Sequence, residues 1–174
     1  MSTKNAYPEL PEVPYQKTTI DESTVVDYIN SLDFPVEVKR ATYIFFANES
    51  AHGSFGINEN YGGIQSDGAR WAIEWDSRIV ATTVTPETMT GNERRFCVFD
   101  QWQSSIDLLL NRILSRGIYI GGYAHPYANF TVNDTAGFAT AYWQEWVEGD
   151  QSTPPASQVT DIEGLYNKAA GLIS

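Results

Sequence analysis

Glu49 is a carboxylate in a position where carboxylates are costly. It lies four residues beyond Phe45, in a run where Val38, Ala41, Ile44 and Phe45 recur at helical spacing. That spacing carries the apolar face of a helix on to Glu49 at its end. A buried carboxylate is expensive unless it is paired or neutral. An apolar wall disfavours the anion and raises the pKa, which is what a general acid needs near neutral pH. A last-turn glutamate pointing into solvent satisfies the same periodicity, so both placements are open at this stage.

Protonating a leaving oxygen is half of glycosidic-bond hydrolysis. The other half is an anion that activates water or stabilises an oxocarbenium-like transition state. Glu87, Asp67 and Glu93 are acids downstream of Glu49 that could supply it. Asp67 also suits capping of a loop, and Glu87 an exposed turn. Other chemistries lack their residues. His52 and His125 have no third metal ligand at a recognised spacing. Cys97 lies in the apolar run Phe96-Cys97-Val98-Phe99, which suits a buried thiol rather than a nucleophile, and a single cysteine forms no internal disulfide. Ser50 has no nucleophile-elbow context, and no phosphate-binding glycine motif is present. No cofactor and no metal are expected.

The elements that must position Glu49 follow from the surrounding sequence. Asp21-Glu22-Ser23-Thr24 starts a helix carrying Val25, Val26, Ile29 and Leu32. Asp33-Phe34-Pro35 ends it and opens a second helix running to about Ser50. Gly53 to Gly68 reads as a loop whose glycines allow close backbone approach, with Gly62-Gly63-Ile64-Gln65 as a short buried strand. Val80–Thr85 and Arg94–Phe99 form a β-hairpin around a turn at Gly91-Asn92. Asp100 caps a helix from Gln101 to Arg116 that ends at Gly117. A Gly/Tyr/Pro-rich connector covers Ile118 to Asn133. Asp134-Thr135 then caps a helix with Ala139, Tyr142, Trp143 and Trp146 inward. Ser157 caps a last helix bearing Val159, Ile162, Leu165, Tyr166, Ala169 and Leu172. Helices, a small β lobe, then helices is an α+β order, with the cleft expected between the helical part and the hairpin.

The totals bound the function. A chain of 174 residues suits one domain with a core of its own. A net charge of −11 argues against a phosphate backbone or an anionic lipid surface as partner. Residues 1–20 read as an extended, proline-containing arm, 21–149 as the principal domain, and 150–174 as a linker and helix packed on the domain or a partner. The N-terminus has neither a cationic start nor an apolar core, so it does not read as a secretory signal. No apolar run is long enough to span a bilayer.

Four fragments in order resemble a known family: Glu49-Ser50, the Asn60-x-x-Gly63-Ile64 step with Asp67 beyond it, Thr85-Pro86-Glu87, and Phe96-Cys97-Val98-Phe99-Asp100-Gln101-Trp102. Together they are similar to the peptidoglycan glucosaminidases of the flagellar hydrolase and autolysin type, in the lysozyme-like superfamily, over about Val36 to Leu114. In that family a helix ends in Glu-Ser, and a turn gives Asn-Asn-x-Phe-Gly-Ile-Lys-x-Asp. A strand pair then carries Thr-x-Glu and leads into Phe-Arg-x-Tyr-Asp-Ser. Here Asn58-Glu59-Asn60-Tyr61-Gly62 replaces the Asn-Asn-x-Phe step, and Gln65 stands in place of the lysine. The family's Gly-Tyr-Ala-Thr-Asp-Pro segment has two echoes, one containing Tyr127 and one Tyr142.

The resemblance implies a lysozyme-like, mainly helical domain with a small β-hairpin lobe flanking the cleft. It implies Glu49 as general acid and Glu87 as second carboxylate. Asn60, Gln65, Asp67 and Trp71, with Tyr127 or Tyr142, would contact the glycan. The expected activity is cleavage of a glycosidic bond of peptidoglycan, as an N-acetylglucosaminidase or muramidase. Synthesis in the cytoplasm and delivery by another route, as a phage lysin or virion component, would fit the missing signal. A different class is also open: a lysozyme-fold structural or sugar-binding subunit that no longer cuts, held in an assembly through its arm or its last helix.

Overall fold

The computed structural model describes residues 10–66, 71–86, 91–116, 118–120, 123–125, 135–148 and 152–174. In chain order these form β1 (Lys17–Thr18), α1 (Glu22–Ser31), α2 (Val36–Glu49), β2 (Gly56–Ile57) and a 3-10 turn (Ile73–Trp75). Then come β3 (Ile79–Pro86), β4 (Glu93–Phe99), α3 (Trp102–Arg116), β5 (Ile118–Ile120) and β6 (Tyr123–His125). The described chain ends with α4 (Thr135–Tyr142), a π-helical stretch (Trp143–Glu148) and α5 (Ala156–Leu172). The fold is α+β, and its described strands pair antiparallel as β1–β2, β3–β4 and β5–β6. No described helix is long and apolar enough to cross a membrane.

The chain divides into two compact units, 1–22 with 48–108, and 23–47 with 109–174. In the first, β3 and β4 form the expected hairpin, in continuous register from Pro86↔Glu93 to Ala81↔Val98, with Ile79 opposite Phe99. The register shifts between Ile79 and Ala81, leaving Val80 as an exposed bulge residue. Both edges of the hairpin are occupied. Beside β3, Glu12 bridges Thr82 in parallel; beside β4, Gln65 bridges Phe96. The stretch expected as a strand at Gly62–Gln65 is thus reduced to one bridge. Two main-chain bonds flank it, Cys97 N–H to Ile64 O (3.0 Å) and Ser66 N–H to Arg95 O (2.8 Å). Ile64 and Cys97 are buried there, Cys97 completely.

In the second unit the burial of α2 exceeds the expected stripe. Every residue from Ala41 to Ala47 is buried, as is Lys39. A helix buried all round shows little amphipathic contrast, which is why a single inward face was the wrong picture of it. Lys39 reaches out of that environment to the Asn30 carbonyl at 3.1 Å. Phe45 meets Tyr142 (4.9 Å) and Trp146 (4.7 Å) edge-on, and the Arg112 guanidinium covers Trp146 at 4.4 Å.

Three expectations for this part change. The helix from Thr135 does not run on as α-helix through Trp143 and Trp146 but widens into the π stretch. The indole of Trp143 donates to Ser152 Oγ (2.9 Å) and Gln144 donates to the Ser152 carbonyl (3.2 Å), so packing and polar ties outweigh regular winding. The connector after α3 contains the β5–β6 hairpin, each strand three residues long. The last helix starts at Ala156, with Pro155 at its N-cap position and no side-chain cap, so Ser157 lies inside it. Ile162, Tyr166 and Ala169 bury its inner face. Its end is held within the same unit, where the Asn30 amide donates to Leu172 O (2.9 Å) and accepts from Ser174 N–H (3.0 Å).

Candidate active site

The turn after α2 is built by Ser50. Its hydroxyl accepts the Gly53 N–H at 3.0 Å and its carbonyl accepts the Phe55 N–H at 2.9 Å, satisfying groups at the end of the helix. Ala51 (φ 47°), His52 (φ 56°) and Gly53 (φ 86°) follow, all left-handed. A left-handed conformation costs a non-glycine residue about 1–2 kcal/mol, and such strain concentrates at functional sites. His52 Nδ1 lies 2.6 Å from Glu22 Oε1, a contact that holds the strained residue to the start of α1. Gly53 is obligatory: a Cβ there would stand 2.2 Å from the Ile20 carbonyl oxygen.

A second reversal follows at once. Asn58 (φ 48°) and Glu59 (φ 66°) both take positive φ, and Ile57 and Asn60 exchange main-chain hydrogen bonds at 3.1 and 2.9 Å. Positive φ at both central residues is what tight type I′ reversals require, and asparagine tolerates it better than most residues. This reversal delivers Asn60 into the interior, 1% exposed. Its Oδ1 accepts the Gly62 and Ile64 N–H groups (3.3 and 3.0 Å), and its Nδ2 donates to the Ile64 and Cys97 carbonyls (2.9 and 3.0 Å). The amide is therefore spent on holding the Gly62–Ile64 loop against β4. Asn60 was expected among the sugar contacts; its burial and its four bonds make it scaffold instead.

That loop carries Gly63, left-handed at φ 60°. A Cβ on Gly63 would lie 3.1 Å from Glu49 Oε2. The half-buried Glu49, last residue of α2, thus lays its carboxylate on a backbone that only glycine leaves open. Glu49 and Gly63 belong to two separate fragments of the sequence resemblance, and the fold brings them together.

The remaining candidates fall in different places. Gln65 and Trp71 are both half-buried, and the Trp71 indole N–H donates to the Gln65 carbonyl at 3.4 Å. Tyr142 is fully buried in the aromatic cluster of the second unit, a packing position rather than a cleft wall. Glu93 is exposed, opposite Pro86 where β3 ends and β4 begins. Glu87, Asp67 and Tyr127 lie outside the described residues.

Two residues that sequence reading did not single out support the site. Asn58 fastens the N-terminal arm, and Thr18 Oγ1 accepts the Glu59 N–H at 3.2 Å. The run Asn-Glu-Asn flanked by Ile57 and Tyr61 was the available signal for a positive-φ reversal. Tyr61 is buried beneath this reversal; burial, and to a smaller extent the Glu59 charge, raises its phenol pKa against the lowering effect of its hydrogen bond with Thr18. Among the described residues no three His, Cys, Asp or Glu side chains are grouped as a metal site would require. Comparison with protein families, with curated proteins and with solved structures finds no match.

Proposed function

We propose that this protein is a glycoside hydrolase of lysozyme-like type that cuts the glycan strand of peptidoglycan, with Glu49 as general acid. The observation that carries the reading is the Glu49 carboxylate lying against Gly63, at the end of a buried helix and beside a strained turn. Loop, strain and glycine all converge on one acid, as they do where a substrate must come close to the backbone. Glu87, next in sequence after Pro86, is the second carboxylate that the resemblance implies. Trp71, whose indole N–H is tied to the Gln65 main-chain carbonyl, and the Gln65 side chain are the groups the resemblance assigns to an N-acetyl sugar. Glu49 donates a proton to the leaving oxygen while the second carboxylate stabilises the developing positive charge or activates water.

Purified sacculi provide the test. The wild-type protein is expected to reduce their turbidity and Glu49→Gln to leave them intact. Equal clearing by both, or no clearing by the wild type, removes the proposal. The reducing-end sugar of the released fragments, read by mass spectrometry, assigns the bond as glucosaminidase or muramidase.

A further inference from the structure

Residues 10–20, the described part of the N-terminal arm, are attached to their own unit at three places. At the hairpin, the Pro11 carbonyl accepts the Thr82 N–H (2.9 Å) and the Val13 N–H donates to the Thr82 carbonyl (2.8 Å). There Arg95 donates both to Glu12 Oε2 (2.8 Å) and to Thr82 Oγ1 (3.0 Å). In the middle, Asn58 Oδ1 accepts the Gln16 N–H (2.8 Å), its Nδ2 donates to the Pro14 carbonyl (3.1 Å), and its own N–H donates to the Gln16 carbonyl (2.9 Å). At the far end, Lys17 and Thr18 pair with Ile57 and Gly56, and the Ile20 N–H donates to the Gly53 carbonyl at 2.9 Å. Gly53 belongs to the strained turn that follows Glu49. Pro11 and Pro14 fix φ between the first two attachments, which limits the slack in the span.

We propose that residues 10–20 are a strap that couples the β3–β4 hairpin to the Glu49 turn, with Asn58 as its buckle and a positioning residue for the site. A two-stranded hairpin is marginal by itself. The bridge from Gln65 to Phe96 holds its β4 edge, and the strap holds its β3 edge. The side chain at 58 must donate to one arm group and accept from another while its backbone takes a positive φ, a combination asparagine meets. The strap's effect on turnover rests on the hydrolase reading; its coupling of hairpin to turn does not.

Asn58→Gly removes the amide and keeps the positive φ free of strain. Amide hydrogen exchange on the full chain is the readout. The Val13 and Thr82 amides at the hairpin and the Ser54 and Phe55 amides at the Glu49 turn are expected to exchange together, about tenfold faster or more. The α3 amides Leu109 and Leu110 should hold their wild-type rates and so report an intact fold. With a soluble glycan fragment, kcat is expected to fall about tenfold with KM within about twofold, as for a misplaced rather than a missing contact. Asn58→Asp, which still accepts from Gln16, should recover part of both effects. Unchanged exchange at Val13 and Thr82, or faster exchange there with Ser54 and Phe55 unchanged, overturns the coupling. Faster exchange at all four amides with unchanged kcat overturns the positioning role. A wild-type protein that cuts no glycan removes the hydrolase reading and the positioning role with it, while the four amides still decide the coupling.

Discussion

Glu49 Oε2 stands 3.1 Å from the point a Cβ would occupy on Gly63. Gly63→Ala therefore combines two effects, a left-handed alanine and a methyl group pressed on the carboxylate. Gly91 is a natural comparison, since it is also left-handed (φ 69°) but has open space around its missing Cβ. Both alanine variants should lose about 1–2 kcal/mol of stability from backbone strain. In Gly63→Ala a displaced acid should in addition cost up to about a hundredfold in kcat. Cleavage by Gly63→Ala at the wild-type rate would mean that the carboxylate position is immaterial.

Gly53 makes a harsher demand. Its Cβ would stand 2.2 Å from a backbone oxygen, that of Ile20, which has no side-chain freedom to yield. Gly53→Ala should destabilise by on the order of 2–4 kcal/mol, with most of the loss in the unit that holds the arm. Thermal melts read this directly, and a Tm within a degree of wild type would contradict the geometry.

Asn60 separates scaffold from contact. Asn60→Ala removes four hydrogen bonds in a buried site and strands the Gly62 and Ile64 donors. A loss of about 2–4 kcal/mol is expected from denaturant unfolding. If Asn60 bound sugar instead, the variant would keep its stability and raise KM.

Alkaline pH should act through Tyr166. Its hydroxyl donates to Glu37 Oε2 at 2.6 Å. Burial first, then the hydrogen bond to Glu37 and the Glu37 charge, push its pKa from 10.0 up to about 12, against the opposing effect of Arg40. The folded state thus favours the protonated phenol. This contribution is complete below the ordinary value of 10.0 and is lost as pH rises through about 12. Between those values, Tyr166→Phe should lose stability less steeply with rising pH than the wild type does. Parallel denaturation curves for the two proteins across that window would show the linkage to be absent.

Much of the secondary structure was legible because it rests on local signals. The helix starts at Glu22 and after Pro35, the hairpin between Ile79 and Phe99, and the helix ending at Arg116 follow from caps, prolines and alternation that neighbouring residues supply. The π stretch at Trp143–Glu148 was not legible, because it is fixed by partners distant in sequence, Phe45 and Arg112 among them. The start of α5 lies two residues earlier than expected for a local reason: Pro155 occupies the cap position that Ser157 suggested.

Residue type and spacing alone place Glu49 at the end of an apolar helix, ahead of glycines able to bring a backbone close. What each residue does there depends on contacts between segments far apart in the chain. Burial turned Asn60 from a presumed ligand contact into a brace and placed Tyr142 in a core. Long-range hydrogen bonds laid residues 10–20 of the proline-containing arm, which the sequence left between its own domain and a partner, along β3 and over the Asn58 reversal. Backbone groups of an extended segment carry no composition that names their partners. Only the approach of Thr82, Asn58 and Gly53 selects them.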